Sequence, residues 1–352
     1  MKSYNHLWEK LISDENILLA IRNASKGNMK REMLTYLKYH AEESIPMIRN
    51  WIEEYAPHQH SIKIINDGIS AKKREIIVPT VQEHIVQHAV MNILKPILMK
   101  GMYEHTYASI PGRGCHKGIK VIKKWIRHDT RNVKYCLKLD VQKYFDSISQ
   151  GILIQKLRNI IHDERFLNLL IKIIHTTDHG LPLGFYTSQW FANFYLQKFD
   201  HFVKENLKVV HYIRYMDDMV LFGSNKRKLR KVFEDIVNYL QSELKLQVKA
   251  NWQLFRFHTK WNKGRFLDFM GFRFYRNRIT LRRKIALKAM RKARKIVKKS
   301  KPTIYDARQM LTYIGWAKYT NSYSWMGKYI LSYINFKKLR KIVSNHDRRC
   351  IV

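Results

Sequence analysis

The chain has 352 residues, 45% of them hydrophobic, which excludes wholesale disorder and allows a core shared by two or three subdomains. Lys and Arg number 66 against 28 Asp and Glu, a formal charge of +38, which selects a polyanionic partner, nucleic acid before an anionic membrane surface. No apolar run approaches a spanning helix, the start lacks a signal-peptide pattern, and Cys115, Cys136 and Cys350 have neither zinc nor disulfide spacing, so a reduced, cytoplasmic protein is expected.

Residues 1–60 read as helices. Leu7, Trp8, Leu11 and Ile12, then Ile17, Leu18 and Ile21, recur at helical spacing up to a polar break at Asn23–Asn28. A second helix runs through Met33, Leu34 and Leu37, and a third starts at Pro46 and includes Trp51. Residues 61–65 and 74–78 alternate as two strands around the turn signal Asn66-Asp67-Gly68, and Pro79 closes the second. An apolar helix from Ile85 to about Leu94 should end or kink at Pro96. The stretch Pro111-Gly112-Arg113-Gly114 is a tight turn with a basic tip. Residues 135–140 form a buried strand ending on Asp140, followed by Tyr144 and Phe145; Asp146 reads as a helix cap, and Phe145 taken alone is a core aromatic. Glycines and Pro182 make a loop of residues 180–184, after which Thr187 or Ser188 can cap a helix.

Residues 211–222, with Tyr215-Met216-Asp217-Asp218 at the centre, read as a hairpin carrying two carboxylates in its turn. Alone, an Asp pair reads first as a surface turn, since Asp caps its own backbone there. Together with Asp140 at a strand end, it gives three hard oxygen donors able to converge on a pair of divalent cations for phosphoryl transfer. An amphipathic helix follows from about Lys228 to Leu244, then a short strand at 246–249. From Leu281 to Lys301 a helix carries Ile285, Ala289, Met290, Ala293, Ile296 and Val297 on one stripe and cations on the others, ending before Pro302. Tyr313, Trp316, Tyr319, Tyr323 and Trp325 then lie among basic neighbours.

These motifs, in this order, resemble the palm and fingers of a reverse transcriptase. The resemblance implies an α+β right-hand polymerase: a helical extension over 1–60, fingers and palm with an antiparallel sheet over 61–276, and a basic helical thumb over 277–352. It implies that Asp140, Asp217 and Asp218, helped by the carbonyl of Val141, hold two Mg²⁺ while template RNA is copied into cDNA from dNTPs. Lys72 and Arg74 would grip the triphosphate, Phe145 would lie under the sugar, and Leu183, Gly184 and Lys249 would line the nucleotide site. The family's Asp-Arg pair is replaced by Glu83-His84, so one phosphate contact is missing from the pattern. Arg113, Ser188, Gln189, Tyr215, Met216, Gly271 (in the grip-like 266–272) and the thumb cations Arg291, Lys292, Arg294 and Lys295 would touch template or primer, as would Lys117.

Most of the family carries Gln-Gly and Ser-Pro where this chain has Leu183-Gly184 and Ser188-Gln189. That variant resembles the reverse transcriptases of diversity-generating retroelements, which misincorporate opposite adenine and work with a small basic accessory protein. A retron or abortive-infection enzyme of phage defence is the alternative within the class, although the Asn-Ala-x-x-His and Val-Thr-Gly signatures of retrons are missing. A non-catalytic RNA-binding protein on a polymerase scaffold is the alternative outside it, opposed by the cost of clustering acids without metals. No membrane partner and no ribonuclease H or endonuclease domain is expected.

Overall fold

A computed structural model describes residues 3–26, 32–66, 73–259 and 263–349. Lys72, Cys350, the turn residues Asp67 and Gly68, and the end of the expected break at Gly27 and Asn28 lie outside the described residues. Four helices open the chain: α1 Leu7–Leu11, α2 Asp14–Ser25, α3 Glu32–Tyr39 and α4 Ile45–Glu53. The first expected helix is two, because Ser13 accepts from the Asn16 amide and restarts it. α2 then continues through Asn23, whose side chain donates to Asn92 instead of breaking the helix.

Strands β1 Ser61–Asn66 and β2 Lys73–Val78 pair antiparallel, as expected. Helix α5 spans Val81–Met99, opening earlier than Ile85 because Thr80 and Glu83 form a reciprocal capping box. It also runs one turn past Pro96. The amino-terminal helices pack on α5 through buried apolar side chains and an amide chain. Asn16 donates to the Ala89 carbonyl at 3.2 Å, and Asn92 donates to Asn16 Oδ1 at 3.0 Å.

Helix α6 Cys115–His128 precedes β3 Tyr135–Asp140. Helices α7 Tyr144–Ser147, α8 Gln150–Arg158, α9 Glu164–Ile174, α10 Tyr186–Tyr195 and α11 Gln197–His201 follow, with a π-helical turn at Phe202–Asn206. Asp163 caps two helices at once: Oδ2 accepts from the Leu7 and Trp8 amides, both at 2.7 Å, and Oδ1 from Phe166 at 3.0 Å. That tie fixes the start of the chain to the central domain.

β4 His211–Tyr215 and β5 Asp218–Gly223 form the expected hairpin. Helix α12 Lys226–Leu244 follows, and β6 Gln253–Arg256 completes an antiparallel sheet in the order β4-β5-β3-β6. The strand expected at 246–249 is reduced to one bridge between Val141 and Val248, and β6 takes the sheet edge. A second antiparallel sheet contains β7 Leu267–Phe269, β8 Phe272–Phe274 and β9 Ile279–Leu281.

Leu281 therefore ends a strand, and α13 spans only Arg283–Val297. Its buried stripe is Ile285, Ala289, Ala293 and Ile296, while Val297 is 52% exposed and lies off it. α14 Ile304–Ala317, α15 Tyr323–Met326, a π-helical turn at Gly327–Leu331 and α16 Phe336–Arg349 pack with α13 around Met310, Ile330 and Leu339. Among the described residues, no helix is long and apolar enough to cross a membrane.

Candidate active site

Strand β3 sits between β5 and β6 with Cys136, Leu137 and Leu139 buried, so its pairing is fixed on both sides. The register places Asp140 opposite Asp218, and Tyr215 pairs with Asp218 across a two-residue turn. Asp140, Asp217 and Asp218 thus meet at one end of the sheet.

The turn requires a left-handed Met216, at φ +58°, a conformation that costs a non-glycine residue about 1–2 kcal/mol. Its brace is Arg214, fully buried below the turn. Arg214 Nη1 donates to the Met216 carbonyl at 2.9 Å and to Asn193 Oδ1 at 3.2 Å. Nε and Nη2 grip the two oxygens of buried Asp200 at 2.7 and 2.5 Å, and the Tyr212 hydroxyl donates to Asp200 Oδ1 at 2.7 Å. Burial alone would weaken the guanidinium's charge, but the Asp200 carboxylate more than restores it, so Arg214 stays protonated. Sequence reasoning missed this support. The signal was an arginine inside an otherwise apolar strand, which needs a buried partner.

Burial, then the side chain of Asp140, push the Asp217 carboxyl up to about 7. Burial also pushes Asp218 up to about 6, with the Lys138 ammonium opposing and Asp140 reinforcing. Lys249 Nζ lies 2.5 Å from Asp140 Oδ2, and Lys138 Nζ lies 3.4 Å from Asp218 Oδ2. The remaining oxygens, Asp140 Oδ1 and Asp218 Oδ1, are buried without a hydrogen-bond partner among the described residues. As they stand, no three carboxylate, imidazole or thiolate groups among the described residues close around a metal ion, and two of the oxygens are turned to lysines. The donor set nevertheless fits a hard divalent cation, because crowded, partly unpartnered carboxylates are stabilised by one.

The loop of residues 180–184 joins this end of the sheet to β2. Gly180, at φ +65°, lies so close to Phe145 that a Cβ would sit 2.5 Å from its carbonyl oxygen, and Leu181 N donates to that oxygen at 2.9 Å. Leu183 is half-buried, and its carbonyl accepts from Ile77 N at 2.7 Å. Gly184, at φ +117°, would put a Cβ 2.1 Å from the Ile77 oxygen, so the loop docks on the strand that carries exposed Arg74. Phe145 lies within α7, half-buried and edge-on to Tyr144.

Two expected caps are corrected. Asp146 lies inside α7, which starts after Lys143. Helix α10 starts at Tyr186, whose amide donates to Gln87 Oε1 at 2.7 Å, so Thr187 and Ser188 fall in its first turn. Ser188 is 1% exposed with its hydroxyl turned inward, whereas Gln189 is exposed. Glu83, in the place of the family's Asp-Arg pair, is consumed by the cap of α5 and by His60 Nε2 at 2.8 Å.

Lys249 N donates to the Asp140 carbonyl at 2.8 Å, which holds the lysine beside Asp140; Val141 follows in the bridge to Val248. Tyr215 is half-buried and Met216 buried beside the carboxylates. Gly271, at φ +85°, forms the β7–β8 turn, where a Cβ would lie 2.3 Å from the Trp316 ring. Lys138 Nζ donates to the Asp268 carbonyl at 2.7 Å, and Arg282 Nε donates to Asp268 Oδ1 at 2.6 Å. Asp218 is therefore linked through Lys138 to the β7–β8 hairpin, another contact the sequence did not disclose.

Arg113 Nη1 donates to the Tyr103 carbonyl at 2.6 Å, holding its own loop, while Lys117 is exposed. On α13, Arg291, Arg294 and Lys295 are exposed. Lys292 turns inward and shares buried Asp306 with Lys299, at 2.7 and 2.6 Å. Against the cost of burial, these ammonium groups and the Thr303 amide hold the Asp306 carboxyl well below its ordinary range.

Residues 64–273, more than half of the chain and including all three aspartates, match the family described as reverse transcriptase (RNA-dependent DNA polymerase). The chain belongs to that family. Its fold is the α+β right-hand polymerase: telomerase from Candida tropicalis aligns over 89% of this chain and 58% of its own, with a TM-score of 0.50 at 14% identity. Protein YkfC of Escherichia coli K12 is 25% identical over 226 residues, 52% of this chain and 59% of its own length. Retron Ec73 reverse transcriptase of Escherichia coli is 25% identical over 196 residues, again 52% and 59%. The group II intron-encoded protein LtrA of Lactococcus lactis is 27% identical over 175 residues, 46% of this chain and 28% of LtrA. The chain thus spans less than two thirds of these relatives.

Proposed function

We propose that the chain is an RNA-directed DNA polymerase that extends a primer on an RNA template with dNTPs. The observation that carries this is the Asp140–Asp218 register with Asp217 in the adjoining turn, three carboxylates at one end of the sheet, two of which (Asp140 and Asp218) keep a buried, unpartnered oxygen. Asp140, Asp217 and Asp218, with the Val141 carbonyl, would hold two Mg²⁺. When bound, these ions supply charge neutralisation at the transferred phosphoryl group and lower the pKa of the attacking hydroxyl. Arg214 holds the Met216-Asp217 turn in the conformation that aims Asp217 at its neighbours. Lys249 and Lys138 hold positive charge against Asp140 and Asp218.

Residues 1–60 serve as the extension, 61–276 as fingers and palm, and 277–352 as the thumb, the last joined to the palm through β9. Lys72 and Arg74 bind the triphosphate, and Phe145, Leu183 and Gly184 shape the nucleotide site. Arg113, Gln189, Tyr215, Met216, Gly271 and the exposed cations of α13 guide template and primer. Incorporation of dNTPs on an RNA template, tested with and without chelator, decides the assignment.

The finer reading is a diversity-generating enzyme, error-prone at template adenine and working with a small basic accessory protein. It is supported by Leu183, an aliphatic side chain that offers a nucleotide no hydrogen bond and whose loop is fixed on Ile77. The match to a retron reverse transcriptase favours the retron type as the second reading. Base-specific error separates the two.

A further inference from the structure

Helix α6 runs beside the second sheet. At its start Gly118 is packed against Met270, where a Cβ would lie 2.8 Å from the methionine's methyl carbon. Near its end the Ile126 carbonyl accepts from Arg276 Nη1. Between this end and the β8–β9 turn lies a cavity of about 310 Å³, lined by Lys123, Arg127, Tyr275, Arg276, Arg278 and Asn321 among others, and by no acid.

The cavity is built rather than incidental. Arg276 also donates to the Val133 carbonyl at 2.6 Å and to the His258 carbonyl at 3.3 Å, so its guanidinium is fixed in the wall by neutral acceptors that leave its charge uncompensated. Tyr275 N donates to the Arg278 carbonyl at 2.9 Å, closing the turn, and the Arg278 guanidinium lies 4.8 Å from the Tyr275 ring centre. Among the described residues, Lys123, Arg127 and Arg278 form no ion pair with a carboxylate. The nearby acid Asp129 is engaged by Asn132 and by His211 at 2.8 Å.

A cationic row leads into the cavity. Lys117, Lys120, Lys124 and Arg127 are exposed and spaced along one face of α6, which contains no acid. Ten residues of helix cover about 15 Å, and one strand of a duplex carries a charge per about 3.4 Å of axis, so the row matches roughly four phosphates. Arg276 reaches Val133, two residues before β3 begins, and Asp140 ends that strand. At about 3.3 Å per residue the cavity is roughly 20 Å from the catalytic carboxylates.

We propose that this cavity and the cationic face of α6 bind the phosphodiester backbone of a nucleic-acid strand, at the end of the palm sheet away from the catalytic carboxylates. The identity of the polyanion rests on the polymerase reading. A row continuing outside the cavity fits a strand rather than one small anion.

The test replaces Lys123, Arg127 and Arg278 together by Gln in the full chain and measures binding of a fluorescent RNA–DNA template–primer between 50 and 300 mM KCl. Three lost contacts should lower the slope of log K against log salt by about 2 to 3 and weaken binding roughly tenfold or more at low salt. The charge-retaining variant Lys123→Arg, Arg127→Lys, Arg278→Lys should keep the slope, which separates charge from folding. Thermal stabilisation by inorganic phosphate or pyrophosphate is measured on the same proteins. An unchanged slope overturns the proposal, and an unchanged slope with anion stabilisation lost in the Gln variant reassigns the cavity to a small anion. Absence of dNTP incorporation by the unmodified chain would sink the polymerase reading, while the salt slope still decides this site.

Discussion

Arg214 offers the sharpest separation of stability from positioning. Arg214→Met leaves Asp200 as a buried carboxylate facing the Tyr212 hydroxyl and no cation, and it strips the Met216 carbonyl and Asn193 of a donor. Breaking one side of a buried pair costs about 3–5 kcal/mol, and the left-handed Met216 loses the contact that offsets its own strain. Urea unfolding should therefore show a loss in that range. Replacing both partners, Arg214→Met with Asp200→Leu, removes the orphaned charge and should recover most of the stability. It does not restore the donor to the Met216 carbonyl. The double variant should accordingly remain at least tenfold slower in dNTP incorporation while its KM for template–primer stays near that of the unmodified chain. Recovery of incorporation together with stability would refute the idea that Arg214 positions the turn. A loss below about 1 kcal/mol in the single variant would refute the buried ion pair itself.

The raised Asp217 carboxyl makes a pH prediction. Its folded pKa of about 7 exceeds the ordinary 3.8, so the folded state holds a proton the unfolded chain has released, and this group's contribution to stability falls as pH rises from about 4 to about 7. In chelator, Asp217→Asn should therefore gain on the unmodified chain by on the order of 2–3 kcal/mol between pH 5 and 8, read from denaturation; a constant difference would contradict the burial and the Asp140 neighbour that raise Asp217. On α13, neutralising exposed Arg291, Arg294 and Lys295 should lower the salt dependence of template–primer binding by about 2 to 3 in slope. Lys292→Ala should instead lower the melting temperature, because it leaves buried Asp306 with Lys299 alone. Sequencing cDNA made on a template with all four bases should show errors concentrated opposite adenine, reduced by Leu183→Gln; uniform error would remove the retroelement reading.

Much of the site was legible because its parts are local. Tyr215-Met216-Asp217-Asp218 and the strand ending on Asp140 each declare themselves within a few residues, and the β1–β2 hairpin follows from alternation. What was not legible depends on distant partners. Asp200 and Asn193 reach Arg214 from 14 and 21 residues away, and Asp268 meets Lys138 across 130 residues. Lys292 has the same spacing as its exposed neighbours, so only Asp306 reveals that it points inward. The early start of α5 was available in Thr80 and Glu83, three residues apart. The late start of α13 was not, since Leu281 fits the helical stripe as well as it fits β9.

Primer extension tests the central claim most directly. The full chain, an RNA template, a DNA primer and dNTPs are combined with Mg²⁺ or with chelator, in parallel with Asp217→Asn. The structure predicts cDNA only in the unmodified chain with Mg²⁺, and template–primer affinity within about twofold in the variant, whose basic surfaces are elsewhere. Extension by Asp217→Asn at the unmodified rate, or by the unmodified chain without divalent cation, would contradict the assignment of Asp140, Asp217 and Asp218 as the catalytic carboxylates.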